Sequence, residues 1–417
     1  MKYILVIGDG MADEALPELQ GKTPLQHAGT PAMDALASAG VLGSVLTVPE
    51  GVPAGSDTAI LSIFGCDPRV CYTGRAPLEA ASAGVALSTG DVAYRCNMVT
   101  FEDGDMPFGE RRILSHSAGS IEGALSDELI TALFETPVFK EAAEKAGMRV
   151  FPASSFRHIA VQKNADITGA ELTPPHDHLG EKLGRILPRG GAGAAVLDRL
   201  TRLAYDVLDN HPINAGRRAE GKMPANGIWF WAEGTAVKLP DFTDMYGKSG
   251  GVVSAVPLCR GIAALIGLDG MTVEGATGDL YTNYEGKATA VIDLLKTRDF
   301  AAVHIEAPDE CTHDGDLKGK LQAIRWIDSR VIAPLVGIMK ETGEDFRMLV
   351  LSDHRTLTST RGHDGAPVPY MIYDSRYDRN TGLSFCEEDA GRGNYIAAGT
   401  ELMGILFEMQ HDCEALQ

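Results

Sequence analysis

The sequence predicts an α/β protein with a parallel-sheet core, helices on both faces of that sheet, and a smaller inserted α/β domain. Three observations point there. Short apolar runs at residues 3–7, 302–305 and 348–351 each stop abruptly in polar residues, as buried strands do. Helical stretches lie between them: in 319–333, Leu321, Ile324, Ile327 and Val331 recur at helical spacing until Pro334 bends or ends the helix. The middle of the chain has a different texture from both ends.

That middle begins with an amphipathic helical region over 116–147, continues through strand-like residues 148–163, and reaches another helix around 196–208. Pro, Gly, His and Asn gather around 171–178 and 211–225, which reads as loops. Residues 86–244 are therefore expected to be an inserted substrate-binding domain, and 1–85 with 245–417 the metal-binding catalytic domain. With 417 residues and 44% apolar composition, two domains with packed cores are the default. Residues 395–410 carry helical patterning with a structural role, and the acidic end beyond them is expected to fray. There is no internal repeat, and the small-residue run 189–195 is explained by a tight turn before a helix.

Composition narrows the function. A formal charge of −20 repels nucleic acid and anionic membranes, leaving small molecules as partners. The five-residue apolar run at the start is too short for a signal peptide, and no later stretch reaches the roughly 18 apolar residues of a spanning helix. A cytoplasmic location is expected. Seven scattered cysteines without a CxxC pair argue against a disulfide framework or a zinc knuckle.

Each buried-strand run is followed within a few residues by an acid: Asp9, Asp309 and Asp353. In an open parallel sheet, groups just beyond the carboxyl ends of the strands meet at one edge. Three converging carboxylates need cations. His313 lies four residues after Asp309, on the same face of a helical turn; His354 adjoins Asp353, and His363 follows in RGHDGAP. Singly these are bland: Asp9-Gly10 is a turn dipeptide and Asp-x-x-x-His a common surface pair. Together they outline a site for two divalent ions, with Mn²⁺ expected and Mg²⁺, Zn²⁺ or Co²⁺ compatible with such ligands.

Ser56, in GVPAGSDTAILSIFG, is the nucleophile candidate. It stands at the amino end of a helix expected over 57–64, where free N–H groups and the helix dipole favour a phosphate. Its bland alternative is a helix N-cap. Arg157, Lys248 and Arg75 are the candidate anion clamps, with His116, His176 and His178 weaker ones.

The segments IGDGMAD, PAGSDTAILSIFGCDP, YTGRAPLEAAS, DVAYRCN, ANGIWFW, GATGDLYTNYEGKA, HIEAPDECTHDGD and LSDH resemble, in order, the archaeal-type 2,3-bisphosphoglycerate-independent phosphoglycerate mutases of the alkaline phosphatase superfamily. The resemblance runs to about residue 375. It implies an alkaline-phosphatase-like core and a phosphoserine intermediate on Ser56. One metal would be held by Asp9, Ser56, Asp353 and His354, the other by Asp309, His313 and His363. The substrate would be phosphoglycerate, with an inserted domain that closes over it. One departure bears on substrate: Glu306-Ala307-Pro308 replaces the usual run before Asp309, as in a bacterial subgroup for which a homoserine kinase role has been proposed. The chain has no GxxxxGK[ST] loop for ATP and no Cys-x-Pro-x-Arg of a sulfatase, and it has lost none of the ligands that a merely binding relative would lose.

Overall fold

The computed structural model describes residues 1–409. Cys413 and the acidic end lie outside the described residues. The chain forms two units, the first from Met1–Tyr72 and the described part of Lys238–Gln417, the second from Thr73–Val237. The inserted unit thus starts and ends earlier than the expected 86–244. The helix Arg75–Ser82 belongs to it because Ala76 and Ala80 pack with Ala93, Ile159 and Val161. At the other boundary Phe242 stacks on Phe300 with centroids 5.2 Å apart, placing that segment in the first unit.

The first unit is built on eight strands: β1 (Lys2–Gly8), β2 (Val41–Val45), β3 (Gly250–Val253), β4 (Asp269–Met271), β5 (Phe300–Ile305), β6 (Phe346–Leu351), β7 (Val368–Asp374) and β8 (Asn394–Ile396). Their order is β8-β2-β7-β6-β1-β5-β3-β4. Only β7 runs against its neighbours, pairing antiparallel with β6 and β2, so the expected parallel core holds from β6 to β4. The apolar runs predicted at 3–7, 302–305 and 348–351 are β1, β5 and β6, side by side at the centre. Continuous burial explains why they read as apolar runs, interrupted only by His304, and not as alternating ones.

Register decides where the acids go. Val6 pairs with both Val303 and Val350, so β1, β5 and β6 end level with one another. The helix expected over 319–333 begins earlier, as Leu317–Trp326, and does not stop at Pro334. A wide π-helical turn, Ile327–Ile332, precedes the helix Ala333–Thr342, which carries Pro334 in its first turn. A proline lacks the donor of the regular ladder, and an opened turn just before it accommodates the ring without ending the helix.

The second unit is an antiparallel sheet. Val92–Phe101 lies between Arg157–Gln162 and Gly227–Thr235, with Met148–Phe151 and Ile113–Ser115 at the margins. The helices Gly123–Glu135, Pro137–Lys145 and Gly191–Leu208 contribute Leu129, Leu133, Phe139, Leu197 and Leu200 to its core. Part of the 211–225 stretch, expected to be loop, forms the helix Pro212–Ala219. Buried Asn214 holds it down by donating to the carbonyls of Leu208 and Ala225, at 2.8 and 3.0 Å, a tertiary contact that local composition does not report. Within 395–409, the described part of the helically patterned stretch, a 3₁₀ turn Gly399–Glu401 leads into the helix Leu402–Leu406.

Because β6 is buried on both faces, Leu349→Ala is expected to cost about 2–5 kcal/mol, read as an earlier urea midpoint. An unchanged midpoint would contradict this packing.

Candidate active site

β1 ends at Gly8, and the Asp9 amide donates to the Ile305 carbonyl at 2.9 Å, which continues the ladder just far enough to aim the Asp9 side chain over the sheet edge. Asp353 follows β6 one residue beyond Ser352. Its Oδ1 accepts from the amides of Gly10 (3.2 Å) and His354 (2.9 Å). Gly10 has φ of 62°, and a Cβ there would lie 2.5 Å from Thr356 Oγ1 and 2.9 Å from Asp309 Cα. Glycine at this position lets the Asp309 helix approach Asp9.

That helix, Ala307–His313, carries Pro308 in its first turn, where a missing N–H costs nothing, so the Glu306-Ala307-Pro308 variation leaves Asp309 and His313 on one face. His313 Nε2 lies 3.1 Å from Asp309 Oδ2. His363 comes from the strand Gly362–Asp364, paired antiparallel with Arg355–Leu357 so that His363 stands opposite Thr356. Its Nε2 is 3.0 Å from His313 Nε2 and 3.4 Å from Asp309 Oδ1. Two ring nitrogens and a carboxylate thus face one point.

Ser56 is the first residue of the helix Ser56–Ile63, capped by the Gly55 backbone without a side-chain cap bond. The hydroxyl is therefore not used for capping. It donates to Asp9 Oδ2 at 3.2 Å and lies 3.2 Å from His354 Nε2. The structure thus gathers Asp9, Ser56, Asp309, His313, Asp353, His354 and His363. Potential ligand atoms of Asp309, His313 and His363 lie within 4.8 Å of one another, as do those of Asp9, His304 and Asp353, and those of Asp9, Asp309 and His354.

Whether these residues fit cations is tested by their unused atoms. Asp9 Oδ1 and Asp353 Oδ2 are buried without a hydrogen-bond partner among the described residues. A buried carboxylate oxygen left bare is costly unless a positive charge faces it. Burial, and then the charges of Asp353 and Asp309, push the Asp9 carboxyl well above its usual range. Burial also acts to raise Asp309, but hydrogen bonds from His313 and His363 outweigh it and hold that carboxyl well below. His313 is in turn pushed up to about 9 by its bond to Asp309. Like charges at one end and a histidine-paired carboxylate at the other are what a dication site offers before it is filled.

Two contributors escaped the sequence reading. His304, inside β5, places Nε2 2.9 Å from Asp9 Oδ2 and Nδ1 3.3 Å from Ser254 Oγ. Its one available signal was a polar residue within an apolar run. Thr356 lies just after Asp353-His354 and donates to Asp309 Oδ1 at 2.6 Å.

Lys248 does not join this edge. Its ammonium lies 5.1 Å from the centroid of the Tyr3 ring, near the start of β1 and thus at the opposite end of the strand from Asp9. It precedes β3, so it enters the sheet at the amino ends of the parallel strands. Arg75 and Arg157 lie in the second unit. There Glu79 accepts from Arg75 Nε at 3.2 Å and from Arg95, and Arg157 adds a third guanidinium to its field. Burial raises Glu79, but the arginines hold it down to about 2. Trp231 backs this group, 4.7 Å from Arg95, 5.7 Å from Arg157 and 5.2 Å from the His176 ring, with His116 6.0 Å from His176. His178 instead pairs with Glu181 at 3.1 Å.

Comparison with known proteins decides the family. A protein of Methanosarcina barkeri named 2,3-bisphosphoglycerate-independent phosphoglycerate mutase is 46% identical over 97% of this chain and 99% of its own length. The chain belongs to that family. The family model described by the same name matches residues 37–214. A solved Pyrococcus horikoshii protein superposes with a TM-score of 0.79 at 31% identity, covering 98% of this chain and 96% of that one. The cofactor-independent phosphoglycerate mutase of Thermoplasma acidophilum superposes with a TM-score of 0.64 at 27% identity, covering 98% and 99%. Candidate metal-binding groups thus sit in a member of this mutase family, and among the described residues no helix is long and apolar enough to cross a membrane.

In the metal-free protein, Asp9→Asn should remove a buried like-charge conflict and raise stability by roughly 1 kcal/mol at neutral pH, measured as a higher melting midpoint under chelation. A lower midpoint would show that the carboxylate is not in conflict.

Proposed function

We propose that the protein interconverts 3-phosphoglycerate and 2-phosphoglycerate through a phosphoserine on Ser56. The observation that carries this reading is the Ser56 hydroxyl held between Asp9 and His354, beside two bare carboxylate oxygens, in a chain matched end to end by named mutases. In the first half-reaction Ser56 Oγ gives up its proton and attacks phosphorus, the bond to the substrate's 3-oxygen breaks, and that oxygen takes up a proton to give glycerate. In the second, the glycerate 2-hydroxyl attacks the phosphoserine, loses its proton, and Ser56 Oγ leaves to be reprotonated. The helix Ser56–Ile63 directs its first amides toward the transferring group, and the Asp9 carboxylate orients the serine oxygen through its hydrogen bond.

Two divalent ions are proposed, one held by Asp9, Ser56, Asp353 and His354 and the other by Asp309, His313 and His363. When bound they would supply charge to favour the serine alkoxide and to neutralise the phosphoryl oxygens. Mixed carboxylate and imidazole donors suit Mn²⁺ first among Mn²⁺, Mg²⁺, Zn²⁺ and Co²⁺. Arg75 and Arg157 are proposed to hold the substrate's anionic groups. Support comes from their surroundings: Arg75, Arg95 and Arg157 all act on the Glu79 carboxylate, which gathers positive charge locally in a protein of net charge −20. The inserted unit is thereby proposed to be the substrate-holding one.

Purified protein with Mn²⁺ and no bisphosphoglycerate should convert 3-phosphoglycerate to 2-phosphoglycerate, and Ser56→Ala should lower turnover at least about a thousandfold. An alanine variant with wild-type turnover would refute the covalent route.

Exhaustive chelation should abolish activity, Mn²⁺ should restore it, and elemental analysis should then count two ions per chain, falling to one in Asp309→Asn. Full activity after verified metal removal would sink the two-cation reading.

A further inference from the structure

Thr356 occupies an unusual place between the two halves of the cation site. It is fully buried, and its main chain is held on both sides: its amide donates to the Ala12 carbonyl at 3.1 Å, and its carbonyl accepts from Lys320 Nζ at 2.7 Å. Lys320 is itself buried and paired with Asp13 Oδ2 at 2.8 Å, which also accepts from the Thr358 hydroxyl at 2.6 Å. With its backbone held this way, the Thr356 side chain has one place to go. Its Oγ1 lies 2.6 Å from Asp309 Oδ1 and 3.2 Å from His354 Nδ1.

Counting hydrogens assigns the roles. A hydroxyl has one hydrogen to donate and lone pairs to accept with, whereas an ionised carboxylate only accepts. The shorter contact therefore takes the threonine hydrogen, and His354 Nδ1 must bring a hydrogen of its own to the same oxygen. With Nδ1–H anchored on the threonine oxygen, Nε2 is the ring nitrogen left to turn toward a cation. In this structure that nitrogen faces Ser56 Oγ at 3.2 Å and carboxylate oxygens of Asp9 and Asp353, each at 3.4 Å.

We infer that Thr356 is a positioning residue: through one hydroxyl it orients Asp309 and selects the Nδ1–H tautomer of His354, tying the two cation-holding halves together. The inference rests on the two-cation reading of the site. The backbone clamp explains why the hydroxyl itself matters, since a side chain lacking it would leave the Asp309 oxygen without its shortest hydrogen bond and the His354 N–H without its acceptor. Partners of this kind that stand behind the ligands set metal affinity by fixing orientation and tautomer.

The test uses the full chain, with Mn²⁺ as the probe. Nitrogen-15 NMR of histidine-labelled, metal-free wild-type protein reads the His354 tautomer directly. The Nδ1–H form is expected, and an Nε2–H form would overturn the inference whatever the variants do. Calorimetric titration with Mn²⁺ is then compared for wild type, Thr356→Val and Thr356→Ser. The valine variant should bind about 10- to 100-fold more weakly, and serine, which keeps the hydroxyl, should recover most of the loss. A folded valine variant that binds Mn²⁺ as tightly as wild type overturns the inference, and so does a serine variant as weak as valine. Wild-type protein that binds no Mn²⁺ would instead refute the two-cation reading on which it rests.

Discussion

Asp9 and Asp353 leave neighbouring strands of equal height and bring their carboxylates into a space that water does not reach, with Asp309 close behind them. In a medium of low polarity such groups repel one another strongly. Burial and its two acidic neighbours raise Asp9 in just this way. The arrangement is reasonable only with positive charge among the carboxylates. That electrostatic constraint organises the surrounding structure: the close approach allowed at Gly10, the first-turn proline of the Asp309 helix, and the histidines arriving from three separate segments.

The site also shows how a fold holds a conflict that it does not itself resolve. Every strand that delivers an acid is buried on both faces, so the backbone there has little freedom to relax. The Asp13–Lys320 pair, itself buried, fastens the segment after Asp353 to the helix Leu317–Trp326 through the Thr356 carbonyl. The candidate ligand groups are thus held in place by the fold, which would lower the reorganisation needed to bind an ion. The cost is carried by the apo state, in line with the usual opposition between stability and function at active sites.

In the inserted unit the polarity of the problem is reversed. In an acidic protein positive charge is gathered locally: Arg75 and Arg95 donate to Glu79, Arg157 acts on the same carboxylate, and Trp231 lies against Arg95 and Arg157. Packing against an aromatic face helps keep such arginines ordered.

The acids gathered at the edge of the first unit were readable from the sequence. Near-continuous apolar runs mark strands buried on both faces, such strands belong to a covered parallel sheet, and acids directly after them must emerge at one edge. Asp309 and His313 were legible as a pair for the same reason, since helical spacing is a local property. Tertiary structure alone decided the rest. The register of β1 against β5 and β6 set which acids stand level. Hairpin pairing, not spacing, put His363 opposite Thr356. His304 and Thr356 were silent because a polar side chain inside or just beyond a strand looks the same whether it faces a core or a carboxylate. Lys248 went astray for the converse reason: it borders a strand of the sheet, but at the amino end. Which end of a strand a charge occupies depends on chain direction within the assembled sheet, and no local pattern encodes it.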